Sequence, residues 1–202
     1  VVHVIDDDEA VRESLAFLLN TARLKVRTYD SANAFLSSLP NIDPGCIITD
    51  VRMPEISGVD LLRRLKELKV GMPVIVITGH GDVQLAVEAM KIGAVDFIEK
   101  PFDDELLLAA VKSALRAWEK VTQQESERAK LFDRLETLSA RERDVLEGLL
   151  AGKPNKIIAF DLGISPRTVE IYRANVMTKM HAGSLSELVR IALLAGLLKP
   201  AS

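Results

Sequence analysis

Val74-Ile75-Val76-Ile77-Thr78, read with Cys46-Ile47-Ile48-Thr49-Asp50 before it, decides the fold of this chain. Each is a short apolar run that stops at an oxygen-bearing side chain. A strand covered by helices on both sheet faces needs apolar side chains on both sides of its period. Its exit residue then lies at the carboxyl edge of the sheet, where open α/β folds bind their ligands. Val2-His3-Val4-Ile5 before Asp6-Asp7-Asp8, and Val95-Asp96-Phe97-Ile98 before Glu99-Lys100-Pro101, end the same way. Four strand ends thus bring carboxylates, a hydroxyl and an ammonium to one edge.

Working outward from these runs, helices fill the gaps. Val11, Leu15, Leu18, Leu19 and Ala22 recur at helical spacing over 9–22. A second strand is expected over 24–28, and Ser31 caps a helix that Pro40 closes. Met53-Pro54 and Ser57-Gly58 mark a loop before a helix carrying Leu61, Leu62, Leu65 and Leu68. Gly79 and Gly81 flank another loop, and a helix over 83–91 leads through Gly93 to the fifth strand. Strands alternating with helices on short connections predict a doubly wound, five-stranded parallel sheet over residues 1–118.

The 202 residues suffice for two domains, with 48% hydrophobic and 27% charged residues. No apolar run approaches the roughly 20 residues of a membrane span, and no signal-peptide pattern opens the chain. The single cysteine, Cys46, excludes disulfide and zinc frameworks and points to a buried thiol in a reducing compartment. The net charge of −3 hides an asymmetry. Residues 1–115 carry 12 Lys+Arg against 18 Asp+Glu, whereas residues 133–202 carry 10 against 8. The two halves therefore face different partners.

Clustered carboxylates repel, and Mg²⁺ relieves that cost while keeping several waters. A carboxylate is also a nucleophile toward phosphorus, and phosphoryl transfer needs positive charge and donors around the equatorial oxygens. Mg²⁺, Lys100 and the Thr78 hydroxyl meet that need, with Asp50, alone at its strand end, as nucleophile. A phosphatase of the haloacid-dehalogenase type is the rival from another class. It carries a second Asp two residues after its nucleophile, where this chain has Arg52, which donates no proton at neutral pH.

Asp6-Asp7, Asp50 with Arg52-Met53-Pro54 and Ser57-Gly58, Thr78-Gly79-His80, and Lys100-Pro101-Phe102 resemble the receiver domain of two-component response regulators. The resemblance covers about residues 1–118. It implies that Asp50 accepts phosphate from a sensor histidine kinase and that Asp6, Asp7 and Asp50 hold Mg²⁺, helped by the Arg52 carbonyl. It further implies that Thr78 and Lys100 contact the phosphoryl group, with Lys100-Pro101 cis. In receivers a Thr at that strand end follows the phosphate and an aromatic on the fifth strand turns inward behind it, so Thr78 and Phe97 are then the switch pair, and residues 79–102 the output face through which activated receivers dimerise.

Leu107, Val111, Ala114, Leu115 and Trp118 continue the last receiver helix. TQQESERAK over 122–130 has almost nothing to bury and no Pro or Gly, so residues 119–136 are expected to be an exposed helical linker. Residues 137–202 carry four short helices. Ser139-Ala140-Arg141-Glu142 and Ser184-Leu185-Ser186-Glu187 have the spacing of capping boxes. A helix from Asn155 to Leu162 stops at Gly163, and Ser165-Pro166 starts the next, which makes a helix-turn-helix unit. In that third helix Val169, Tyr172, Val176 and Met180 face inward. Arg167, Glu170, Ile171, Ala174, Asn175 and Thr178 lie opposite, a surface suited to a major groove. Lys156, Thr168, Arg173 and Lys179 are placed for phosphates.

Leu138-Ser139 with Arg141-Glu142, Asn155-Lys156-Ile158-Ala159, Leu162-Gly163-Ile164-Ser165, and Thr168-Val169 before Lys179-Met180 resemble the LuxR-type DNA-binding domain. Its pairing with a receiver is similar to the NarL/FixJ family, FixJ-type members above all. The resemblance implies a non-enzymatic transcription regulator of the bacterial cytoplasm that dimerises when phosphorylated and binds double-stranded promoter DNA, with RNA polymerase as a further partner and no membrane.

Overall fold

The computed structural model describes residues 1–79 and 83–197. It divides into two compact units, Val1–Lys120 and Val121–Ser202. In the first, β1 (Val2–Ile5), β2 (Val26–Tyr29), β3 (Cys46–Asp50), β4 (Val74–Thr78) and β5 (Asp96–Glu99) form one parallel sheet in the order β2-β1-β3-β4-β5. Between them run α1 (Glu9–Thr21), α2 (Ala32–Ser38), α3 (Gly58–Glu67) and α4 (Val83–Ile92), and α5 (Asp104–Glu136) follows. Every residue of β3 and β4 is buried, as strands sandwiched by helices require.

The register pairs Ile48 with Ile75, Asp50 with Ile77 and Thr78 with Glu99, so Asp50 and Thr78 leave the sheet at the same edge. One face packs Leu15 and Leu19 of α1 and Leu107 and Val111 of α5 on Val4, Ile48, Ile75 and Ile77. The other packs Phe35, Leu61, Leu65 and Ala89 on Ile5, Ile47 and Val76. At about 1.5–3 kcal/mol per buried large side chain, these two layers hold the sheet edge rigid. Asp8, Ser31 and Ser57 each cap a helix through side-chain oxygens.

Some boundaries differ from expectation. β5 begins at Asp96, leaving Val95 exposed, because it is the edge strand and only Ile98 meets the core. Leu68 follows the last turn of α3 as an exposed cap instead of extending its apolar stripe. α5 runs without a break to Glu136, and its residues 119–130 are all exposed. The expected linker stops short at its far end: Leu131 is buried in the second unit's core, with Leu135 packed beside it.

The second unit adds α6 (Ala140–Leu150), α7 (Asn155–Leu162), α8 (Pro166–Lys179) and α9 (Leu185–Leu194). Ser139 and Glu142 form the reciprocal capping box. Ser184 caps α9, but the box there is not closed. The Glu187 carboxylate accepts from the Gly183 N–H at 2.8 Å, one residue before the cap. Gly163 ends α7 in the left-handed region at φ 63°, a conformation costly for any residue with a Cβ, and so makes the tight turn into α8. Val169 and Val176 of α8, and Met180 that caps its end, are buried against Val145, Leu146, Leu149, Ile158 and Leu188, with Tyr172 half-buried. No described helix is long and apolar enough to cross a membrane.

Candidate functional site

The carboxyl edge of the sheet gathers the expected groups. Asp50, 9% exposed, closes β3, and its Oδ2 accepts the Arg52 backbone N–H at 2.6 Å. Lys100 Nζ, just past β5, donates to Asp50 Oδ1 at 2.7 Å and to Asp6 Oδ2 at 3.2 Å. The Lys100 N–H bonds the Thr78 carbonyl at 2.8 Å, and the Lys100–Pro101 bond is cis. Thr78 is buried, with its hydroxyl donating to the Gly79 carbonyl at 3.2 Å.

The acidic run divides its labour. Asp8 Oδ1 accepts from the Ala10 and Val11 N–H groups at 2.9 and 3.4 Å and so caps α1. Asp6 is 3% exposed, and its Oδ1 accepts the Asp8 N–H at 2.9 Å. Asp7 is exposed beside it. Burial pushes the Asp6 carboxyl up, outweighing the Asp8 N–H and the Lys100 charge, which pull it down. Burial works against the Lys100 ammonium too, but its bonds and charge pairing with Asp50 and Asp6 prevail and lift it.

Among the described residues no three His, Cys, Asp or Glu side chains are grouped as a metal cage. The donor set still fits Mg²⁺, which takes one or two carboxylates and keeps its waters. Asp6 and Asp50 already converge on one cation, the Lys100 ammonium, with exposed Asp7 adjacent.

Two supports escaped the sequence. Arg12 Nη1 donates to the Asp6 carbonyl at 2.8 Å, pinning the β1–α1 turn. Gly58 starts α3 so close to β3 that a Cβ there would lie 2.1 Å from the Asp50 carbonyl oxygen. The Arg12 signal is its place at the end of the first turn of α1; nothing in sequence marks the approach at Gly58. Phe97 is 43% exposed on β5, the edge strand of the sheet, so it is not a core residue in this structure. His80, Gly81 and Asp82 of the expected output face lie outside the described residues.

In the second unit α8 exposes Arg167, Glu170, Ile171, Ala174, Asn175 and Thr178, and α7 exposes Lys156. Thr168 is half-buried, its hydroxyl 2.8 Å from that of the cap Ser165. Two cations expected at phosphates are engaged elsewhere. Arg173 Nη1 donates to Asn155 Oδ1 at 3.3 Å. Lys179 Nζ pairs with Glu142 Oε2 at 2.6 Å and donates to the Thr137 carbonyl at 3.1 Å. Glu142 is buried, and this ion pair, with the Ser139 N–H, holds its carboxyl below the usual glutamate range. Lys179 therefore ties the end of α8 to the start of α6.

A cluster of acids and a lysine at the edge of a five-stranded parallel sheet, followed by a helix-turn-helix unit, defines a two-module regulator. Residues 2–112 match the response regulator receiver domain, and residues 136–192 match the bacterial regulatory proteins of the luxR family. The chain belongs to the response regulators that join a receiver to a LuxR-type DNA-binding domain. It is 62% identical over 195 residues to the transcriptional regulatory protein FixJ of Azorhizobium caulinodans, covering 96% of this chain and 92% of that one. Full-length FixJ from B. japonicum, a solved structure, is 54% identical with a TM-score of 0.62, covering 98% of both chains. The response regulator StyR is 38% identical with a TM-score of 0.89, covering 95% of this chain and 97% of that one. The chain is thus a FixJ-like transcriptional response regulator, and phosphorylation-dependent regulation is the behaviour of its family. Such proteins are transcription factors rather than classical enzymes, and the two modules imply a sensor kinase and DNA as partners.

Proposed function

We propose that Asp50 is the phosphoacceptor and that its phosphorylation by a sensor histidine kinase controls dimerisation and promoter binding in the bacterial cytoplasm. The observation that carries this reading is the Lys100 ammonium between Asp50 Oδ1 and Asp6 Oδ2, at 2.7 and 3.2 Å. An Asp50 carboxylate oxygen attacks phosphorus, the bond to the kinase imidazole breaks, and that nitrogen keeps the electron pair. Lys100 stays beside the transferred oxygens, and the Thr78 hydroxyl leaves the Gly79 carbonyl to donate to one of them. Asp6, Asp7 and Asp50, with the Arg52 carbonyl, would hold Mg²⁺, which when bound neutralises charge on the phosphoryl oxygens. Slow loss of the phosphoryl group to water resets the switch.

Readout passes from Thr78 toward α4 and β5, where Val87, Met90, Val95 and Phe97 are exposed. Phe97 serves there as a surface residue that a second receiver covers. In the second unit Lys156, Arg167, Glu170, Ile171, Ala174 and Asn175 face DNA, with Thr168 at the helix start. Arg173 reaches phosphate only by giving up Asn155, and Lys179 positions α8 without contacting DNA. A single unit of such small net charge makes few phosphate contacts, and affinity rises steeply with their number, so pairing two copies is what gives useful binding. RNA polymerase is a further partner at the promoter. The test is incubation with acetyl phosphate followed by intact mass. The native chain gains one alkali-labile phosphoryl group and Asp50→Asn gains none; equal uptake by the variant rejects Asp50.

A further inference from the structure

Glu170 is out of place on a surface meant for a polyanion. It lies at the fifth position of α8, exposed on the same side as Arg167 and Ala174. Among the described residues neither Glu170 nor Arg167 forms an ion pair or side-chain hydrogen bond, although they stand three apart on one helix. The helix dipole does not account for the acid, because its effect fades beyond the first turn. Nor do neighbouring cations neutralise it, since Arg173, three residues on, is turned to Asn155. A carboxylate carried into a groove between two phosphate strands costs affinity unless it meets a donor there.

The major groove offers only two base donors, the N4 amino group of cytosine and the N6 amino group of adenine. Adenine flanks its amino group with the N7 acceptor, which repels the second carboxylate oxygen. Cytosine places an apolar C5–H there instead. On its other side lie guanine O6 and N7, acceptors that match a guanidinium. Arg167 and Glu170, one turn apart on the exposed face, present a donor and an acceptor in that order. Ala174, one turn further on, leaves room for the groove wall to approach. We infer that Glu170 is a specificity-determining residue, accepting from cytosine N4 at one position of each half-site. This inference rests on the DNA-binding reading of α8.

The test selects bound duplexes from a randomised pool with the full-length chain after acetyl phosphate treatment, in parallel with Glu170→Ala and Glu170→Gln. The native chain is expected to enrich cytosine at one position per half-site. Glu170→Ala relaxes that position alone, reducing its discrimination about tenfold as loss of a base contact does. Glu170→Gln, with a donor and an acceptor suited to adenine, moves the preference to adenine at that position. Unchanged preference in both variants overturns the inference while leaving DNA binding intact. Enrichment of no sequence by the native chain rejects the DNA reading and the inference with it.

Discussion

Replacing Gly58 by alanine should destabilise the first unit and disturb Asp50, although glycine-to-alanine changes in helices ordinarily stabilise by about 1 kcal/mol. The new methyl carbon would lie 2.1 Å from the Asp50 carbonyl oxygen, 3.0 Å from its carbon and 3.2 Å from Thr49 Oγ1. All three belong to β3, which is buried along its whole length and paired on both sides, so it cannot retreat. The start of α3 must withdraw instead, stretching the 3.0 Å bond from the Gly58 N–H to the Val51 carbonyl. Overpacking of this kind costs about 2–3 kcal/mol, enough to reverse the propensity gain. Urea unfolding followed through Trp118, the chain's single tryptophan, reports on this unit. The midpoint should fall by about 1 M, given the usual slopes for units of this size. Gly71, whose Cβ would meet nothing within 4 Å, supplies the control, and Gly71→Ala should move the midpoint little. A Gly58→Ala midpoint equal to or above the native one refutes the reasoning.

Lys179→Met should destabilise the second unit by about 1–3 kcal/mol, because the buried Glu142 carboxylate loses its counter-charge, and adding Glu142→Gln should restore part of the loss in thermal unfolding. The depressed Glu142 carboxyl implies stability that is fully present above the ordinary glutamate range and lost as pH falls through the folded-state value, so Glu142→Gln should flatten the acid limb of that unit's melting profile. His3 behaves differently from a surface imidazole. It is fully buried, with Nε2 2.8 Å from the Asp43 carbonyl oxygen and Tyr29 and Phe35 against its ring, and burial pushes it down. The unfolded chain then takes up a proton first, so the first unit should lose stability as pH falls below the ordinary histidine range, a slope that His3→Gln should remove.

The sheet was legible because burial on both faces keeps β4 apolar up to Thr78 and β3 apolar up to Thr49-Asp50, so the polar residues announce the strand ends themselves. The helix starts were equally open to reading at Ser31, Ser139 and Ser165, where a side-chain oxygen and its N–H partner lie three residues apart. What the sequence did not show depended on distant parts of the chain. Lys179 and Arg173 carry the charge expected of phosphate contacts, and the partners they hold in this structure, Glu142 and Asn155, come from other helices. Phe97 has the composition of a core residue, and only the strand order, which places β5 last, exposes it. Gly58 resembles any loop glycine until the carbonyl of Asp50 arrives beside it.

Phosphate on Asp50 is proposed to govern DNA binding by the second unit. One binding titration tests it, using a duplex enriched from the randomised pool at fixed salt. Native and Asp50→Asn chains are compared with and without acetyl phosphate. Acetyl phosphate should tighten binding by the native chain and leave Asp50→Asn unchanged. Equal affinity in all four samples, or tightening of the variant, contradicts it.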